Sequence, residues 1–129
     1  MFYEFKSERM KNELYEISSQ FLLGSNLLVS PVLLPNERKK KTYFPASRFY
    51  SFYTGEKIEV GENFYTVDAP LNILPMFFRE GFITPIQNTS EIKKLSELRK
   101  MPIDLVVALD SSYRASGNIM FDDGMSKFY

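Results

Sequence analysis

Asp122 and Asp123 adjoin in the sequence and are the obvious candidates for paired-carboxylate chemistry. Two carboxyl groups can divide acid and nucleophile work when they face one bond about 5 to 5.5 Å apart. Neighbours on an extended segment point to opposite faces, so adjacent aspartates are poorly placed to share one substrate atom. With Gly124 following, the expectation is a turn whose side chains bond the backbone. Asp68, Asp104 and Asp110 each stand alone beside strand or turn signals, with no second acid to raise a pKa, and read as structural or solvated. The chain has no histidine and no cysteine. Ser-His-Asp and Cys-His arrangements, His/Cys zinc sites and disulfides therefore fall away together. Gly55, Gly61 and Gly81 are not framed by a strand and a helix as a phosphate loop requires, and read as turns and bulges.

Arg79 and Glu80 form the remaining candidate, because a charged pair between Met76-Phe77-Phe78 and Gly81-Phe82-Ile83 is unusual. A partly buried ion pair, or two side chains snorkelling from a strand edge, accounts for them as well as a ligand site does. Arg38, Lys39, Lys40 and Lys41 beside Pro35 and Asn36 are expected to be a solvated loop tip. With 16 basic and 16 acidic residues the chain has no net field to attract nucleic acid, and no nucleic-acid partner is expected.

The elements that would position these groups are mainly strands. Lys6 to Glu16 suggests a loop or one helical turn. Leu27 to Leu34 is a near-continuous apolar run, the pattern of a strand covered on both faces as in parallel sheets, and too short to span a bilayer. From Thr42 onward, aromatic segments alternate with turn residues: Tyr43-Phe44, Phe49 to Tyr53, Phe64 to Val67, Met76 to Phe78 and Phe82-Ile83. That punctuation predicts an antiparallel sandwich with the aromatics as core. Ile92, Leu95 and Leu98 predict a short amphipathic helix within Glu91 to Met101, stopped by Pro102. Ile103 to Leu109 and Asn118 to Phe121 are expected to pair as a hairpin. At 129 residues, 44% of them hydrophobic, one compact core is feasible. Met1 to Met10 lacks the pattern of a secretory signal.

Read in order, these segments resemble glycoside hydrolase family 31, the α-glucosidase type. Gln20 to Leu33 resembles the segment of the last strand of the catalytic (β/α)8 barrel, and Phe2-Tyr3-Glu4-Phe5 the piece before it. Tyr43-Phe44-Pro45, Tyr50 to Gly55, Asp68-Ala69-Pro70-Leu71 and Phe78 to Pro85 resemble successive motifs of the proximal C-terminal β-domain. Leu105 to Leu109 and Phe121-Asp122-Asp123-Gly124 resemble the approach to the distal one.

The resemblance implies three parts: residues 1–34 as the end of the barrel, 35–100 as the proximal β-domain, and 101–129 as the beginning of the distal β-domain. It also implies a parent enzyme that hydrolyses α-glucosides with retention through two aspartates, the nucleophile in a Trp-x-Asp-Met-Asn-Glu type motif. This chain has neither tryptophan nor histidine nor Asp-Met-Asn, so no catalytic, cofactor-binding or metal-ligating residue is carried over and no cofactor is expected. The implied partner is the catalytic domain itself. Two departures stand out: Glu80, where the family usually has Gly or Ala, and Phe121 in place of a Trp. An alternative from another class is a free-standing β-sandwich that binds carbohydrate through exposed aromatics.

Overall fold

The computed structural model describes residues 4–5, 11–90 and 92–120. In chain order the elements are α1 (Lys11–Glu16), β1 (Phe21–Leu23), β2 (Leu27–Val29), β3 (Lys39–Phe44), β4 (Phe49–Ser51), β5 (Lys57–Ile58), β6 (Asn63–Asp68), β7 (Met76–Arg79), β8 (Phe82–Ile86), α2 (Leu95–Leu98) and β9 (Asp104–Ala108). A five-stranded sheet of order β1-β2-β7-β4-β5 lies with two ribbons, β3-β6 and β8-β9. Every pair of these strands runs antiparallel.

Alternation along the central strands explains the layering. Leu28 and Phe77 point to one face and meet Phe44 of β3, with Tyr65 and Val67 of β6 packed against them. Their neighbours Leu27, Val29 and Phe78 point to the other face and meet Ala108 and Val106 of β9. One strand therefore feeds two cores, because successive side chains leave a strand on opposite sides. Phe44 is the hinge of the first core, with its ring edge-on to Phe49 at 5.5 Å and to Phe77 at 4.9 Å. Such pairs add about 0.5 to 1.5 kcal/mol beyond the area they bury.

The apolar run at Leu27 to Leu34 is covered on both faces as expected, but only as far as Ser30. Its neighbours are antiparallel rather than parallel, since β2 pairs with β1 on one side and β7 on the other. The strand stops because the Ser30 amide bonds Pro75 O at 2.9 Å and Pro31 has no N–H to continue the ladder. Leu33 and Leu34 are consequently exposed.

Two further expectations are corrected. Lys39 to Lys41 are not a loop tip but the first half of β3, opposite Asp68, Val67 and Thr66 of β6. Their ammonium groups still reach outward, and Lys41 Nζ lies 4.8 Å above the Phe64 ring. Strand β9 does not pair with residues 118–120, and Phe121 of the expected hairpin lies outside the described residues; β9 pairs with β8 across all five residues from Phe82↔Ala108 to Ile86↔Asp104. The returning chain instead touches the start of β8, where Ile83 N–H donates to Ser116 O at 2.9 Å and Ser116 N–H to Gly81 O at 3.0 Å. The predicted helix is confined to Leu95–Leu98. Among the described residues no helix is long and apolar enough to cross a membrane.

Candidate functional site

The Arg79-Glu80 candidate sits where β7 leaves the five-stranded sheet and β8 begins the neighbouring ribbon. The two side chains do not pair with each other. Arg79 Nη1 donates to Glu4 Oε1 at 2.6 Å, while Glu80 takes the Arg48 backbone N–H at 2.8 Å and lies 3.7 Å from the Arg48 guanidinium. Alternation at the strand end sends them to different neighbours.

Arg79 is clamped from several directions. Its Nη1 also faces Ser25 O at 3.4 Å, Nε faces Ser47 Oγ at 3.4 Å, and the guanidinium stands over the rings of Phe5 at 4.5 Å and Phe82 at 5.4 Å. A guanidinium suits this role because its flat fork stacks on aromatics while its edge donates to oxygens. Arg48 has its pKa raised above the ordinary value, first by a side-chain hydrogen bond with Tyr50 and then, against some desolvation, by the charge of Glu80. The cluster therefore holds fixed charges with satisfied partners. It can brace loops and bind.

The other candidates are not brought together. Asp110 is consumed by its own turn, where Oδ1 accepts the backbone N–H groups of Ser112 at 2.8 Å and Arg114 at 2.9 Å. Asp68 ends β6 opposite Lys39, and Asp104 opens β9 opposite Ile86, each on its own ribbon. Asp122 and Asp123 lie outside the described residues. Among the described residues no group of three or more acids is placed to hold a metal ion. Gly55 and Gly81 are turn glycines with φ of 70° and 82°, whereas Glu80 needs no positive φ, so the turn accepts a side chain there. Tyr43, Phe44, Phe49, Phe77 and Phe78 are core, and among the described residues the exposed aromatics Tyr15, Phe21, Tyr53 and Tyr113 sit on four separate segments.

Sequence reasoning missed the buried polar contacts. Gln20 brackets the backbone of Tyr43, donating to its O at 2.9 Å and accepting from its N at 2.8 Å. Ser30 Oγ and Thr42 Oγ1 share a buried hydrogen bond of 2.7 Å. The only advance sign was a serine inside an apolar run.

The arrangement of sheets has counterparts of known family. The sequence model of the glycosyl hydrolase family 31 C-terminal domain matches residues 1–84. The chain belongs to glycoside hydrolase family 31. Glucoamylase 1 of Candida albicans is 40% identical over 118 residues, covering 88% of this chain and 12% of its own length. The alpha-glucosidase of Mucor javanicus is 36% identical over 119 residues, covering 88% and 14% respectively. Among solved structures, the glucosidase II alpha subunit bound to Glc1Man2 superposes with a TM-score of 0.84 at 27% identity, over 96% of this chain and 13% of that one. This family 31 chain thus spans 12% to 14% of the length of these relatives.

Proposed function

We propose that this chain is the bracing β-portion of a retaining α-glucosidase-type hydrolase, and that it cleaves no glycosidic bond by itself. The observation that carries the reading is the match to the family's C-terminal domain over residues 1–84 in a chain of 129. Its relatives are several times longer. Within that reading the parent acts on α-glucosides through carboxylates on another part of the polypeptide. This chain contributes no catalytic, cofactor or metal residue.

The finer division follows the expected limits with two adjustments. Residues 35–100 form the proximal β-domain, and because β9 pairs with β8 and packs Ala108 against Leu27, Val29 and Phe78, the distal one begins after Ala108 rather than at 101. Residues 21–29, although drawn from the expected barrel end at 1–34, complete the proximal sheet. The pairing of β2 with β7 supports that adjustment, since it joins Leu27–Val29 to Met76–Phe78.

Two measurements test the proposal. The purified full chain, assayed with p-nitrophenyl α-glucoside, is expected to release no p-nitrophenol above background, because the paired carboxylates of a retaining mechanism are missing. Steady turnover would sink the reading. Exchanging the matched segment of Candida albicans glucoamylase 1 for this chain is expected to leave an active enzyme.

A further inference from the structure

Two loops on one side of the sandwich carry apolar side chains that remain exposed among the described residues. The first follows β2 and presents Leu33 and Leu34, which are 62% and 63% exposed. The second precedes β7 and presents Leu71 and Leu74, which are 85% and 41% exposed. Leu34, Leu71 and Leu74 line one shared cleft of about 450 Å³, with Pro31, Pro35 and Pro70 in its walls. Single exposed leucines are ordinary, but several lining one concave surface with a polar rim mark a contact site.

The cleft is already shaped. The loops are tied to each other by Ser30 N–H to Pro75 O at 2.9 Å and by Ala69 N–H to Arg38 O at 2.8 Å. Within the second loop Ile73 N–H donates to Pro70 O at 2.9 Å, and Tyr53 Oη donates to Leu74 O at 3.0 Å. The first turns at Asn36, whose φ is 66°, a conformation asparagine tolerates better than most residues. A surface held in this way loses little freedom on binding.

We infer that this leucine-proline cleft docks the catalytic portion of a family 31 polypeptide. The inference rests on the bracing role proposed above. The occupant follows from length and lining. Relatives carry more than four fifths of their length beyond what this chain spans, so in such a polypeptide the part able to meet the cleft is large. No aromatic side chain lines the cleft to stack on a sugar ring, and its charged groups are confined to Glu37 and Arg38. Apolar, proline-walled and rimmed by Asn36, Glu37, Arg38 and Asn72, it fits protein side chains rather than a glucan.

The experiment combines Leu34→Asp and Leu71→Asp in two settings: the free full-length chain, and this chain exchanged into Candida albicans glucoamylase 1. Because both side chains face solvent, the free chain is expected to melt as the wild type does by circular dichroism. In the chimera the half-life of activity on heating is expected to shorten about tenfold or more, as loss of central apolar contacts does at interfaces. Equal half-lives for the wild-type and doubly substituted chimeras would overturn the cleft while leaving the bracing role intact. Destabilisation of the free chain as well would assign the leucines to the chain's own fold and also overturn it. A discrete dimer of the free wild-type chain, abolished by the substitutions while the chimera is unaffected, would give the cleft to a second copy instead. An inactive wild-type chimera beside an active parent would remove the bracing role and the cleft with it.

Discussion

Arg79 Nη1 and Glu4 Oε1 meet at 2.6 Å across 75 residues of sequence, joining the segment before α1 to the end of β7. The carboxylate is partly exposed, so the ion pair alone contributes little. The guanidinium also carries stacking on Phe5 and Phe82 and bonds toward Ser25 and Ser47. Arg79→Ala is therefore expected to lower stability by about 1 to 3 kcal/mol, while Glu4→Gln costs under about 1 kcal/mol. Arg79→Lys retains the charge but loses the fork, and should fall nearer to alanine than to wild type. Urea midpoints of the three variants check the order. Equal losses for Glu4→Gln and Arg79→Ala would show that charge, not the clamp, matters.

The Ser30–Thr42 pair offers a sharper case, because both residues are fully buried and their hydroxyls lie 2.7 Å apart. Thr42→Val removes one partner and strands the Ser30 hydroxyl, at an expected cost of about 1 to 3 kcal/mol. Adding Ser30→Ala removes the stranded group, so the double variant should be no less stable than Thr42→Val alone. A double-mutant cycle by thermal melting measures the coupling. Strictly additive losses would mean that the hydroxyls do not act together.

Local pattern made β4, β6 and β7 legible, since each is a β-branched or aromatic run closed by Gly, Pro or Asp. Choice of partner was not legible. Strand β9 takes β8, 22 residues upstream by the Phe82 to Asp104 starts, rather than the nearer residues 118–120, and the returning chain bridges to β8 through Ser116. Lys39 to Lys41 read as a loop because charge dominates their composition, yet the β6 ladder holds their backbone while their heads stay in water. The candidate site shows the same division. Arg79 and Glu80 stood out as charges among aromatics, but Glu4 and Arg48, their actual partners, come from the segment before α1 and from the residue just before β4, far away in sequence.

Gln20 is expected to be among the least replaceable polar residues. Its amide satisfies both backbone groups of Tyr43 from outside the β3 ladder, and it is buried itself. Gln20→Leu removes both of these bonds, at an expected cost of about 2 to 4 kcal/mol. Gln20→Glu keeps an acceptor for the Tyr43 N–H but, when ionised, offers no donor to its carbonyl, so it should also lose stability. Amide hydrogen exchange at Tyr43 reads the effect directly. Protection unchanged in Gln20→Leu would remove the bracket.

Gly81 and Gly117 are both needed near β8, for different reasons. Gly81 has φ of 82° and nothing nearer than Asp110 Cβ at 4.0 Å, so its constraint is backbone conformation. Gly117 has ordinary φ, but an added Cβ would stand 2.6 Å from Ile83 O and 3.0 Å from Ile83 Cβ, so its constraint is space. Gly81→Ala should cost about 1 to 2 kcal/mol, and Gly81→Asn less, because asparagine tolerates a left-handed backbone. At Gly117 the order reverses: alanine costs about 1 to 3 kcal/mol and asparagine at least as much, since a larger side chain cannot ease contact with the Ile83 carbonyl. Melting temperatures of the four variants decide. Asparagine rescuing position 117 as well as 81 would show that the close approach to Ile83 does not constrain the chain.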